Sequence, residues 1–299
     1  MNKKIIILIS SLFVLLAIGV LIWQFLPKPE VVTPETTKLG EIKHDNYSFL
    51  TFSPDSKRFA YRAKSEGKWF IVLDGKEQGR YDDVWFPTFS PDSQRFAYVV
   101  ESEGKEFIVL DGIEQERYDG IWFLLTFSPD SQRFAYRAKS EGKEFIVLDG
   151  IEQERYDWVD FLTFSPDSKR FAYVAGSEGK EFIVLDGIEQ ERYDWVSPLL
   201  TFSPDSKRFA YIARSEGKSF VVLDGIEQER YDWVSLLTFS PGSQRFAYVA
   251  ESEGKEFIVL DGIEQEERYD EIHNLQLSEN YLSFNAQKGK ELWFVVIPF

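Results

Sequence analysis

From Thr51 onward the chain alternates short apolar runs with polar turns, and no segment shows the 3.6-residue apolar stripe of a helix. The stretch from Leu199 to Trp233 serves as the type unit. Leu-Leu-Thr-Phe-Ser is short and apolar-rich, and Pro204-Asp205-Ser206 turns the chain, because proline presets the first turn position and Asp and Ser bond nearby backbone. Lys207 to Arg214 then carries Phe209 and Tyr211 on one face and Ala210 on the other, and Ser-Glu-Gly217 supplies a hairpin. Phe220-Val-Val-Leu223 is a continuous apolar run, as expected of a strand covered on both faces, and Asp224-Gly225 turns it. Ile226 to Tyr231 is highly charged, which suits an outer strand that must resist edge-to-edge aggregation. The pattern therefore predicts four antiparallel strands, a to d.

This unit recurs. The phenylalanine of Thr51-Phe-Ser-Pro-Asp-Ser-Lys-Arg-Phe-Ala-Tyr61 returns at Phe89, Phe127, Phe164, Phe202 and Phe239, in steps of 37, 38, 37, 38 and 37 residues. A fixed period of this size means a solenoid, a propeller or an array, and four strands per unit is the size of a propeller blade. A β-solenoid is the remaining rival, although its repeats are usually shorter. Six full copies are followed by a degenerate one: Leu277-Ser278, Tyr281 to Phe284, and Gly289 to Val296 match strands a, b and c without a strand d. Lys38 to Asp45 (KLGEIKHD) stands before the first strand a, where every other copy has its strand d. The expected fold is all-β: a seven-bladed β-propeller of four-stranded blades over residues 38–299, closed by an N-terminal strand that pairs with the last blade.

The phrase Phe-Ser-Pro-Asp-Ser-Lys-Arg-Phe-Ala-Tyr resembles the SPDG-type signature of the WD-repeat-like propeller found in the C-terminal domain of TolB and related bacterial envelope proteins. The resemblance covers nearly all of residues 38–299. It departs in having Ser where that family usually has Gly, and in Gly242, which stands where Asp is expected. It implies a platform for protein contacts and brings no shared chemistry.

Ahead of the repeats, Met-Asn-Lys3-Lys4 precedes an uncharged apolar run from Ile5 to Leu26. At about 1.5 Å per residue that run reaches about 33 Å, enough for a bilayer core of about 30 Å and longer than a typical cleaved signal. Residues 1–4 are expected in the cytoplasm by the positive-inside rule, 5–26 as a transmembrane signal anchor, and the bulk of the chain outside the cytoplasm on a single-pass cell-membrane protein. Residues 27–37 hold three prolines and read as a spacer.

The formal charge is −16, and since residues 1–37 contribute three Lys and two Glu, the remainder carries −17. That excludes a nucleic-acid partner, which needs a basic patch. With no Cys there is no disulfide, thiol chemistry or Cys-based metal site. The Asp-rich turns lack the alternating ligand spacing of a calcium loop, so no metal is expected, and no cofactor motif is present. With only two histidines, His44 and His273, and no catalytic motif, no catalytic residue is assigned and the chain is read as a non-enzyme.

Copies compared within the chain differ mainly in the d–a connections, which read DDVWFP, DGIWFLL, DWVDFL, DWVSPLL, DWVSLL and DEIHNLQ. Loops on a rigid scaffold carry function, so this rim is the expected binding face. Its candidate residues are Trp85, Trp122, Phe123, Trp158, Asp160, Trp195, Trp233, His273 and Asn274. Five tryptophans suit a peptide anchor or a sugar-stacking surface, and they equally suit wedges between blades. The first reading is thus a monomeric scaffold for a protein or peptide ligand. The alternatives are a glycan-binding or glycan-active propeller, with a carboxylate such as Asp160 in the cleft, and a structural repeat domain without a specific ligand.

Overall fold

The computed structural model describes residues 35–122 and 125–299. The Ile5–Leu26 anchor and Phe123 therefore lie outside the described residues. The chain divides into one unit of residues 1–38 and another of 39–299, and the second holds every strand of the described residues. It is all-β, built mostly of four-stranded antiparallel sheets, the blade unit of a β-propeller.

Seven such sheets follow one another among the described residues. The second shows the plan: strand a Asp83–Phe89, strand b Phe96–Ser102, strand c Lys105–Leu110 and strand d Ile113–Tyr118, hydrogen-bonded in that order. Four of the six segments read as d–a loops, in the second, fourth, sixth and seventh sheets, are not loops. They form the first half of strand a, because residues such as Trp158 and Val159 pair with Gly176 and Ala175 of the neighbouring strand. The additional residue of each 38-residue step has a visible consequence. Strand a breaks in two in those sheets, into Gly120–Ile121 and Thr126–Phe127 in the third and Trp195–Val196 and Thr201–Phe202 in the fifth.

Period-2 alternation builds the core between sheets. In the sixth sheet Phe246, Tyr248, Ala250, Phe257 and Val259 face backward, onto Ala210, Ile212 and Val221 of the fifth. Ala247, Val249, Ile258 and Leu260 face forward, onto Leu282, Phe284 and Ala286 of the seventh. Each fully buried Phe in these joints contributes about 1.5–3 kcal/mol, and Phe107, Phe145, Phe182 and Phe220 are all fully buried.

Two polar ladders reinforce the joints. In each SPDS turn the Ser is left-handed, with φ of 60–65° from Ser56 to Ser243, a conformation that costs an L-residue about 1–2 kcal/mol. The hydroxyl offsets this cost, since Ser93 Oγ accepts from the Asp55 backbone N–H of the preceding sheet at 3.1 Å, and Ser131, Ser168, Ser206 and Ser243 repeat the bond at 2.9 Å. Arg58 spans the same joint, donating to Asp74 Oδ2 at 2.8 Å and to the Ser93 carbonyl at 3.1 Å. Nearer the outer edge, Tyr81 donates to Glu114 Oε1 of the next sheet at 3.1 Å.

The ends of the series differ from its middle. Strands Glu271–Leu277, Tyr281–Lys288 and Glu291–Pro298 make the seventh sheet three-stranded. The expected fourth strand from residues 38–45 is not formed, and residues 39–46 hold no strand. They lie instead against the first sheet (Tyr47–Phe52, Phe59–Ser65, Lys68–Leu73, Lys76–Tyr81). The physical reason is that among the described residues no other sheet covers its Tyr61 and Phe70. His44 supplies the missing cover. Its Nδ1 lies 3.1 Å from the Tyr61 hydroxyl, its Nε2 lies 3.2 Å from Glu77, and its ring meets Phe70 edge-on at 5.2 Å.

Candidate functional site

Strand a carries a bulge in five sheets, marked by register breaks at Ser48/Thr51, Trp85/Thr88, Asp160/Thr163, Ser235/Thr238 and His273/Gln276. At each bulge one residue is left-handed, namely Phe49, Phe86, Phe161, Leu236 and Asn274, with φ between 51° and 56°. Asn tolerates that region. Phe and Leu do not, and each costs about 1–3 kcal/mol unless something else holds it. Phe49, Phe161 and Leu236 are also exposed, at 48%, 44% and 41%. Thus strand a of the first, fourth and sixth sheets places a large apolar side chain in solvent at a strained position, and the Phe49 and Phe86 rings lie 6.3 Å apart. Sequence reasoning singled out the neighbouring tryptophans and missed this row. The recoverable signal was an apolar residue three positions before the repeat's Phe.

The tryptophans sit one to a sheet in strand a or beside it. Trp85, Trp158 and Trp195 are half-buried against the inter-sheet clusters. Trp158 lies over Gly176 so closely that a Cβ there would stand 2.0 Å from its indole nitrogen. Trp122 and Trp233 are more open, at 37% and 44% exposed.

Trp122 and Asp160 are brought together by Arg137. The guanidinium lies 5.1 Å from the Trp122 ring centroid, donates to Asp160 Oδ2 at 3.1 Å, and donates to Glu144 Oε2 at 2.6 Å. Glu144 is buried and also accepts from the Val159 backbone N–H, so both carboxylates are committed to fixed donors. Burial pushes up the equivalent Glu106, while the Ile121 backbone N–H pulls it back. These glutamates fasten strand c to strand a. Among the described residues no cluster of three or more acidic, His or Cys side chains has the arrangement of a metal site.

His273 and Asn274 sit together on the seventh sheet at the mouth of an open cleft of about 670 Å³, with Asn285, Gln287, Leu292 and Phe294. Asn274 Nδ2 donates to Asn285 Oδ1 at 3.1 Å, and His273 Nε2 lies 3.1 Å from Glu271. His44 and His273 have separate partners on different sheets.

No family model matches the chain, and no curated protein does. Among solved structures it is similar to TolB from Acinetobacter baumannii, at 20% identity and TM-score 0.35, covering 74% of this chain and 64% of that one. It is also similar to the β-propeller domain of the Trilobed protease from Pyrococcus furiosus, described as having an open velcro topology, at 13% identity, 87% and 96% coverage and TM-score 0.41. A putative TolB from Agrobacterium tumefaciens matches at 16% identity, 75% and 84% coverage and TM-score 0.33. The chain thus spans just under two thirds of the Acinetobacter protein's length.

Proposed function

We propose that this chain is a membrane-tethered scaffold that holds a protein or peptide ligand outside the cytoplasm through strand a of successive sheets. The observation that carries the reading is the row of strained, exposed apolar residues Phe49, Phe161 and Leu236. Left-handed backbone at a bulky residue and apolar surface in water are each unfavourable, and both are offset when a partner covers the side chain. Between them stand Trp122, Trp233 and the Arg137–Asp160 pair, which add amphipathic anchors and fixed charge. The tether is the uncharged run from Ile5 to Leu26, with Lys3 and Lys4 on the cytoplasmic side.

The test uses full-length protein in membranes carrying Phe161→Asn and Leu236→Asn together. Asn accepts the left-handed region, so the variant is expected to melt at or above the parent temperature. It is also expected to lose, at least tenfold, the protein partners cross-linked to the parent. A variant that retains those partners would overturn the assignment of this face. A parent that retains glycans in place of protein would favour the sugar-stacking alternative.

A further inference from the structure

The two ends of the sheet series are complementary. At each interior joint, the forward face of one sheet and its strand d together bury the backward face of the next. On the seventh sheet the forward face is bare. Leu292 is 83% exposed and Phe294 70%, whereas Ile258, which stands where Phe294 does, is buried against the next sheet. The outer edge of strand Glu291–Pro298 is also unpaired among the described residues.

The first sheet shows the opposite half. His44 repeats, contact for contact, what Tyr81 does one joint later: Tyr81 reaches Glu114 and meets Phe107 edge-on at 5.7 Å, and His44 reaches Glu77 and meets Phe70 edge-on at 5.2 Å. Residues 39–45 therefore take the place of a strand d docked on the sheet that follows it, with no strand c beside them. The joint is left incomplete. Phe52 is 54% exposed, while its counterparts Phe127, Phe164 and Phe239 are buried.

We propose that the bare face of the seventh sheet is occupied by the first sheet of a second copy of this chain, whose residues 39–45 run along strand Glu291–Pro298 as its missing fourth strand. Among the described residues no strand of the first sheet pairs with one of the seventh and no core cluster joins them, so the partner for each half is sought on another molecule. Donor and acceptor ends differ, which makes the contact head-to-tail. Charge permits it. Residues 38–45 sum to zero (Lys38 and Lys43 against Glu41 and Asp45) and residues 288–299 to +1 (Lys288 and Lys290 against Glu291), in a chain of −16. The register follows from the interior joints, where the residue before the strand c Phe faces the strand d Tyr, as Glu106 faces Tyr118. By the same rule Leu292 faces His44 of the partner copy.

The chain has no cysteine, so introduced thiols report alone. Full-length Leu292→Cys and Asp45→Cys variants, differently tagged and mixed in detergent, are treated with a short bis-maleimide. The expected result is a cross-linked heterodimer, at least tenfold above a control pair in which Leu292→Cys meets Ile113→Cys on an exposed outer strand. Adding Phe294→Asp to the Leu292→Cys chain should abolish it, and since that side chain is exposed the circular dichroism should not change. The proposal is overturned if the mixture gives no more product than the control. It is equally overturned if a chain bearing both cysteines closes on itself as a monomer, which would mean that the first and seventh sheets join within one molecule. Neither outcome touches the strand a binding face.

Discussion

Gly242 shows how a single departure from a repeat reports on its neighbour. Five joints place an Asp backbone N–H against a serine hydroxyl of the next sheet, but the seventh sheet has no such serine, and Glu279 takes the Gly242 N–H with its carboxylate instead. A Cβ at position 242 would stand 2.7 Å from Glu279 Oε1, and an aspartate would add like charge. Gly242→Asp, although it restores the repeat's consensus, is therefore expected to lower stability by about 1 kcal/mol. Glu279→Ser should rescue it by rebuilding the serine bond of the other joints. Urea midpoints for the two single variants and the double check this, and additive single effects would refute the coupling. The sequence announced Gly242 as an exception. It could not announce the reason, because Glu279 lies in the degenerate seventh copy, 37 residues on, where the other joints place a serine 38 or 39 residues on.

At the scale of elements, the repeat period and the Pro-Asp and Asp-Gly turns were legible because each is local chemistry. The reach of strand a was not. Its first half varies from copy to copy and reads as a loop, and becomes a strand only through pairing with strand b, so that Trp158 faces Gly176, Trp195 faces Arg214 and Trp233 faces Glu251. At Trp158 the cross-strand glycine opens room for the indole, whereas Trp233 opposite Glu251 stays exposed. Trp158→Ala is accordingly expected to cost about 2 kcal/mol, roughly half the figure for a fully buried ring. Trp122→Ala and Trp233→Ala should each cost less than about 1 kcal/mol. Gly176→Ala should destabilise as well, by driving a methyl into the Trp158 indole. Thermal melts of the four variants test the ordering, and equal losses at Trp158 and Trp233 would contradict it.

For the whole molecule, the two polar ladders set the pH range of the fold. On the acid side, the Ser53, Ser90, Ser128 and Ser165 hydroxyls hold Asp55, Asp92, Asp130 and Asp167 below the usual carboxylate range, and Ser203 brings Asp205 to about 2. Depressed values mean that the folded state favours the charged form, so this stability is complete above about pH 4 and is lost as pH falls toward 2. On the alkaline side, burial pushes Tyr81, Tyr118 and Tyr248 up to about 12, with Glu114 and Glu152 of the following sheets adding to the shift at Tyr81 and Tyr118. Raised values favour the neutral phenol, so that stability is complete below about pH 10 and is lost as pH rises from 10 to 12. The tyrosine ladder lies between sheets, so the alkaline limit is a failure of the joints, whereas the Ser–Asp bonds lie within the turns that carry the serine ladder, so the acid limit begins in those turns. Tyrosinate absorbance at 295 nm, followed with far-ultraviolet circular dichroism, should therefore rise for most tyrosines only as the β signal collapses. A smooth titration near pH 10 with the β signal intact would show that the outer-edge ladder does not hold the sheets together.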